Sequence, residues 1–182
     1  MLYEKQEFTM KNGKTAVLRS PRREDAEAML LYIRRMSEET EFVGRYPEEI
    51  TETLESEADF LEQCVESKNS IQISAFVEGE LAGNASISPF SERIKLRHRA
   101  DFGIAVLQPW WGLGLGRALT QACLERAKEM GFAQVELSLL KTNEKGLRLY
   151  QSTGFEVWGE LKNGFHLKDG TCESELCMVK YF

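Results

Sequence analysis

Gln108-Pro-Trp-Trp-Gly-Leu-Gly-Leu-Gly-Arg117 decides how this chain is read. Gly112, Gly114 and Gly116 alternate with larger residues at the junction of two patterns. Upstream, from Leu96 to Val106, Phe102, Ile104 and Val106 share one face of a strand. Downstream, from Gly114 to Met130, Leu115, Leu119, Cys123, Ala127 and Met130 recur at helical spacing. Glycine permits left-handed backbone and close approach of a ligand. Successive N–H groups can then turn inward as an anion nest, with a helix N-terminus behind them. One glycine would suffice for a plain turn, and three at this spacing point to a pyrophosphate. A phosphate loop of the form GxxxxGK[ST] is absent. A dinucleotide GxGxxG needs its third glycine where Arg117 or Leu119 stands, and it belongs after a first strand rather than about a fifth.

A second informative stretch is Asn143-Glu-Lys-Gly-Leu-Arg-Leu-Tyr-Gln-Ser-Thr-Gly-Phe155. Asn143 can cap a short helix to Ser152, and Tyr150 lies two turns along on the same face. Alone, Asn143 reads as a cap and Tyr150 as core. Following the glycine turn, they read as parts of a site.

The rest of the chain supplies a frame. Asn12-Gly13 between Phe8–Met10 and Thr15–Arg19 signals a hairpin. Ala26, Met29, Leu30, Ile33 and Met36 make one helical stripe, and Leu54, Ala58, Leu61 and Val65 make another over residues 52–67. Strands are expected at Ile71–Val77, Leu81–Ser88 and Ala133–Leu140, then near Phe155–Leu161 and Glu173–Lys180. The strand-helix-strand unit over 100–140 should be parallel and right-handed. The predicted fold is α+β, one domain over residues 1–182.

Composition excludes several classes. The 182 residues carry 23 Lys and Arg against 29 Asp and Glu, a net charge of −6, so no nucleic-acid partner is expected. Ten Phe, five Tyr and three Trp are too many aromatics for a disordered acidic chain. No apolar run approaches a membrane span, and the first ten residues have no apolar leader core. The expectation is a soluble cytoplasmic protein with no membrane partner. Cys64, Cys123, Cys172 and Cys177 show no CxxC spacing, and His98 and His166 are the only histidines, so no metal is expected.

On Val106-Leu-Gln-Pro-Trp-Trp-Gly-Leu-Gly-Leu-Gly-Arg-Ala-Leu119, the strand Asp101–Val106 before it, Asn143, Leu149-Tyr150 and Gly154-Phe155, the chain resembles the GNAT superfamily of N-acetyltransferases. Leu18-Arg19 and Glu24-Asp25 extend the likeness to the first helix. The resemblance implies a mixed, mostly antiparallel twisted sheet flanked by about four helices, with a V-shaped splay between two central parallel strands. It implies acetyl-CoA as cosubstrate, its pyrophosphate on Trp111, Gly112, Leu113, Gly114, Leu115, Gly116 and Arg117. Ile104, Ala105 and Val106 would align the pantetheine arm, and Asn143, Lys145 and Tyr150 would complete the cofactor side. Tyr150 stands where the family places the acid for the leaving thiolate. Asp101 stands where relatives often carry Glu, a candidate base acting directly or through water. The acceptor would be a small-molecule amine or a protein N-terminus. Family habit implies a homodimer, and the alternative function is a non-catalytic acyl-CoA-binding sensor.

Two residues depart from the family pattern. Trp111 occupies a position usually held by Gln or Arg. Gly146 replaces a common Ala, weakening its helix by up to ~1 kcal/mol. Arg117, Lys141, Lys145 and Arg148 are the candidate cations for CoA phosphates. Glu38, Glu39 and Glu41, with Trp158, Phe165 and His166, are the residues expected near the acceptor.

Overall fold

The hairpin read at Asn12-Gly13 forms β1 (Gln6–Thr9) and β2 (Thr15–Arg19) of the computed structural model, which describes residues 1–182. Then follow α1 (Ala26–Glu39), α2 (Leu54–Glu66), β3 (Ile71–Val77), β4 (Glu80–Pro89), β5 (Arg99–Val106) and α3 (Leu115–Glu129). β6 (Gln134–Leu140), α4 (Glu144–Ser152), β7 (Glu156–His166) and β8 (Cys172–Tyr181) complete the chain. All eight strands join one sheet in the order β1-β2-β3-β4-β5-β6-β8-β7. Only β5 and β6 pair in parallel.

Two strands differ from the sequence expectation. β5 begins at Arg99 rather than Leu96, because the Leu96 and Arg97 N–H groups both turn back onto the Arg93 carbonyl. β7 runs on to His166 past Leu161, through an irregularity that holds Asn163 at φ 57°. Lys162-Asn163-Gly164 breaks the alternation there, so periodicity alone ends the strand too early.

Each face of the sheet has its own core. Ile71, Ile73, Ala75 and Val77 point to one side and are fully buried with Ala85, Ile87 and Phe102 against Leu115, Leu119, Cys123 and Ala127 of α3. On the other side Met29 and Tyr32 of α1 pack with Ala58 and Leu61 of α2, Leu81 and Leu107. All four cysteines are free thiols. No helix is long and apolar enough to cross a membrane.

The central strands part early. β5 meets β6 only where Arg99, Ala100 and Asp101 face Gln134, Val135 and Glu136. From Phe102 onward β5 pairs with β4 alone, and from Leu137 onward β6 pairs with β8 alone. This is the V-shaped splay, with its apex at Asp101. Arg99 pins the apex, donating from Nε and Nη2 to the two Glu136 oxygens at 2.5 and 2.6 Å. That guanidinium holds the Glu136 carboxyl below its usual range. Arg99→Met is therefore expected to destabilise the fold by about 2 kcal/mol, less than for a fully buried pair because Gln134 still donates to Glu136. The melting temperature should drop by about 4–8 °C at pH 7. A depressed carboxyl contributes stability above its unfolded pKa and loses it as pH falls through the folded one. The difference between wild type and variant should therefore shrink below about pH 4. A gap that stays constant to pH 3 would remove the ion pair from the argument.

Candidate active site

The glycine turn presents a run of free backbone donors. Gly112 and Gly114 take φ of 76° and 92°, and Gly114 is the residue that opens α3. None of the backbone N–H groups from Gly112 to Arg117 meets an acceptor in the protein. Six donors in a row, three of them in the first turn of a helix, suit an anion. The β1–β2 hairpin supports the turn from outside: the Lys11 N–H donates to the Leu113 carbonyl at 3.1 Å. Trp111 is not a passive replacement for the family's Gln or Arg. Its indole N–H donates to the Val106 carbonyl at 2.5 Å, tying the turn to the end of β5, and the Lys145 ammonium lies 4.6 Å from its ring centre.

The free edge of β5 follows from its register. The Phe90 N–H bonds the Arg99 carbonyl and the Leu107 N–H bonds the Ala82 carbonyl, so the odd-numbered residues of β5 hydrogen-bond to β4. In an antiparallel ladder the alternate residues then point the other way. The N–H and C=O of Ile104 and the N–H of Val106 therefore face the splay, where β6 offers no partner. Ala105 faces β4, and its carbonyl accepts from the Tyr32 hydroxyl at 2.8 Å. The Gln108 N–H bonds the Glu39 carboxylate at 2.7 Å. Both contacts lock α1 onto this strand.

Tyr150 of α4 packs beside the splay. Its ring sits edge-on to Phe102, with centroids 6.2 Å apart, and 5.9 Å from Phe155. The ring is buried, yet its hydroxyl has no protein partner and is not among the polar atoms sealed from solvent. Burial pushes the phenol pKa up to about 12. Asn143 caps α4, its side-chain oxygen accepting from the Gly146 N–H at 2.9 Å. A Cβ at Gly146 would lie 2.8–3.0 Å from the Asn143 side chain, so this glycine makes room for the cap.

Asp101 stands at the apex with an exposed carboxyl. Partial desolvation on the side facing the sheet and the neighbouring Glu136 charge raise its pKa, against the pull of Arg99. Three residues separate it from Ile104, about 10 Å along a strand. Of the four candidate cations, Lys141 is paired with Glu160 and Arg148 with Glu144. Arg117 and Lys145 make no ion pair and stand at the cradle.

A cavity of about 530 Å³ lies on the opposite side of β5, between α1, α2 and the sheet. Met29, Ile33, Met36 and Phe60 give it an apolar side, and Glu52, Glu57, Gln72 and Asn84 a polar one. Gly103, Ile104 and Ala105 form its wall toward the splay. None of Glu38, Glu39, Glu41, Trp158, Phe165 and His166 lines it. Glu39 is instead engaged by Gln108 and Arg35, and Trp158 is exposed on the edge strand β7. The sequence did hold a trace of the cavity. Gln72, Asn84 and Ser86 are polar residues in two strands that are otherwise mostly apolar.

The chain is similar to an L-amino acid N-acetyltransferase of Escherichia coli, 29% identical over 100 residues, which make up 54% of this chain and 60% of that one. It thus spans less than two thirds of that relative's length. It is also similar to a spermidine N(1)-acetyltransferase of Escherichia coli, 26% identical over 87% of this chain and 82% of that one. Among solved structures, a GNAT-family acetyltransferase from Streptococcus pneumoniae superposes with a TM-score of 0.88 at 28% identity, covering 92% of this chain and 99% of the other. Residues 31–155, which run from α1 through the cradle to the end of α4, match the model of the acetyltransferase (GNAT) family. With its splayed parallel strands and glycine cradle, the chain belongs to that family.

Proposed function

We propose that this protein transfers the acetyl group of acetyl-CoA to a primary amine of a small molecule or of a protein N-terminus. The observation that carries the reading is a junction at Ile104 and Ala105. On one side lie the unpaired edge of β5 and six free N–H donors; on the other lies the cavity between α1, α2 and the sheet. The residues fit the cosubstrate. Gly112 to Arg117 would hold the pyrophosphate through backbone N–H groups, Ile104 and Val106 would bond the pantetheine amides, and Arg117 and Lys145 would meet phosphate charge. Asn143 serves this side by capping the helix that carries Tyr150. The relatives named for an amino acid and for spermidine both support an amine acceptor.

The chemistry is a direct transfer. An alkylammonium, with a pKa near 10, first loses a proton. Its nitrogen then attacks the thioester carbon, an N–C bond forms, and the carbonyl electrons move to oxygen. The Ile104 N–H can stabilise that oxyanion, leaving the Ile104 C=O and the Val106 N–H for the pantetheine amides. Collapse breaks the C–S bond, the nitrogen releases its second proton, and the thiolate leaves with a hydrogen bond or proton from the Tyr150 hydroxyl. At about 10 Å from Ile104, Asp101 would draw protons through water. Asp101→Asn is expected to lower kcat/KM for the amine about tenfold, below the range of a base in direct contact. KM for acetyl-CoA should hold. A variant equal to wild type from pH 6 to 9 would leave Asp101 without a part in proton transfer.

The reading is tested by incubating the protein with acetyl-CoA and a panel of polyamines, amino acids, aminoglycosides and peptide N-termini. Free CoA thiol is the readout. Release that depends on an acceptor supports it. Tight CoA binding with no release on any acceptor would favour the acyl-CoA sensor instead. The cytoplasm, where acetyl-CoA is made, is the proposed location, and a homodimer the proposed assembly.

A further inference from the structure

Glu57 is only 5% exposed, yet its carboxylate has no hydrogen bond or ion pair in the protein. It lies in the first turn of α2 and lines the cavity beside β5. Its oxygens are not among the atoms sealed from solvent, so they open onto that cavity. Two further acceptors from the same lining, Gln72 Oε1 and Glu52 Oε2, are sealed and have no donor. The other Glu52 oxygen is taken by Arg45. Buried polar atoms are ordinarily paired, and a buried carboxylate especially so. Here the unmatched atoms are all oxygens. The one cation of the lining, Arg45, is paired with Glu52, so the cavity holds one carboxylate more than it has cationic donors.

Register locates this deficit relative to the transfer point. Gln72 of β3 faces Ser86 of β4, and Ser86 faces Gly103 of β5. Two inter-strand steps put Gln72 about 10 Å from β5. Gln72 therefore marks the far end of the cavity from Ile104 and Ala105, and Glu57 and Glu52 line the same cavity from α2 and the segment before it. On the helix side the lining is Met29, Ile33, Met36 and Phe60, and on the sheet side Asn84 and Ser86 of β4 lie between Gln72 and β5. An acceptor that satisfies both ends has a reacting amine, an apolar chain and a second cation.

Building on the acetyl-transfer reading, we infer that the acceptor is a short α,ω-diammonium chain whose non-reacting ammonium is bound by Glu57, with Gln72 and Glu52 behind it. Glu57 is then the residue that sets acceptor specificity. The nitrogen remote from Glu57 is acetylated, giving a mono-acetylated diamine with its second amine untouched. Once its remote nitrogen is acetylated, the product no longer carries two charges.

The probes are 1,5-diaminopentane and pentylamine, which differ only in the second amine. Wild type is expected to prefer the diamine at least tenfold in kcat/KM, a comparison that needs no variant. In Glu57→Gln the preference should collapse through a rise in diamine KM of at least tenfold, with KM for acetyl-CoA held. Removing an unpaired buried charge should also leave the melting temperature equal or higher, which a structural carboxylate would not do. Equal use of the two amines by wild type overturns the inference, as does a preference that survives Glu57→Gln. An equal fall in kcat for both amines would also overturn it, since Glu57 would then act on the reacting nitrogen. Calorimetric titration of 1,5-diaminopentane into protein saturated with CoA separates the two levels of argument. Glu57-dependent binding without any acetylation supports the pocket and removes the transfer reading. Acetylation of amines with no diamine binding preference does the reverse.

Discussion

Tyr150→Phe is expected to lower kcat about 10²-fold while leaving KM for acetyl-CoA within a factor of about two. The magnitude follows from the environment of the phenol. Its hydroxyl is unpartnered within the protein, its ring is fixed by Phe102 and Phe155, and burial pushes its pKa up to about 12. A thiol has a pKa near 8.5. Full proton transfer from such a phenol to a thiolate is uphill by about 3.5 units, or about 5 kcal/mol. The hydroxyl therefore acts chiefly as a fixed donor that stabilises charge growing on sulfur. Loss of one such donor costs about 10²–10³ in kcat, and the lower end applies where proton transfer is incomplete. The sign with pH follows as well. The phenol stays neutral and able to donate up to about pH 12, so wild type should show no alkaline limb from Tyr150 between pH 6 and 10. The variant's deficit should be constant across that range. The change removes a hydroxyl without a protein partner, so the aromatic cluster and the melting temperature should hold. Turnover equal to wild type across pH 6–10 would sink the role.

Much of this site could be read before its geometry was known. The cradle was legible because backbone chemistry depends on glycine, and Gly112, Gly114 and Gly116 sit in the primary sequence at the junction of two clear periodicities. Asn143 was legible as a cap for the same reason: a cap is a local hydrogen bond, here to Gly146 three residues away. The splay was reached through resemblance, because nothing within Asp101–Val106 announces that β6 will leave it. What the sequence hid are contacts made across long separations. Tyr32 on the Ala105 carbonyl spans 73 residues, and Glu39 on Gln108 spans 69. The cavity beside β5 is assembled from α1, α2 and three strands, and no single segment carries its pattern. The charge run Glu38, Glu39 and Glu41 drew attention because it is dense, while the solitary Glu57 did not. Burial of an isolated carboxylate is a property of packing, and an amphipathic stripe shows only that Glu57 adjoins Ala58 and Leu61.

Gly114→Ile is expected to raise the Kd for acetyl-CoA at least about 10²-fold while the protein stays folded. Gly114 holds φ at 92° and ψ at −8°, a backbone conformation that a β-branched residue enters only with strain of about 1–3 kcal/mol. A Cβ there would also come within 3.3 Å of the Phe8 ring, and the hydrogen bond from Lys11 to Leu113 resists outward movement of the turn. The turn must therefore rotate, and the N–H groups from Gly112 to Arg117 lose their common direction. Hydrogen bonds to a charged group contribute about 1.5–3 kcal/mol each, so misaligning two of them accounts for a loss of about 10²–10⁴-fold. Calorimetry with CoA, alongside a melting curve that shows a cooperative transition, is the measurement. Unchanged affinity in a folded Gly114→Ile protein would mean that the cradle does not hold the cofactor. The contrast with Arg117→Ala makes the result informative about charge. A chain of net charge −6 must bind a cofactor that is itself strongly anionic. If cations dominated, Arg117→Ala would match the glycine variant and the loss would fade in high salt. If backbone amides dominate, Arg117→Ala costs only about threefold to tenfold, as befits an exposed charge, and Gly114→Ile remains severe at any ionic strength. The second pattern is the expected one, because six unpaired donors fixed by the fold do not depend on the sign of the surface around them.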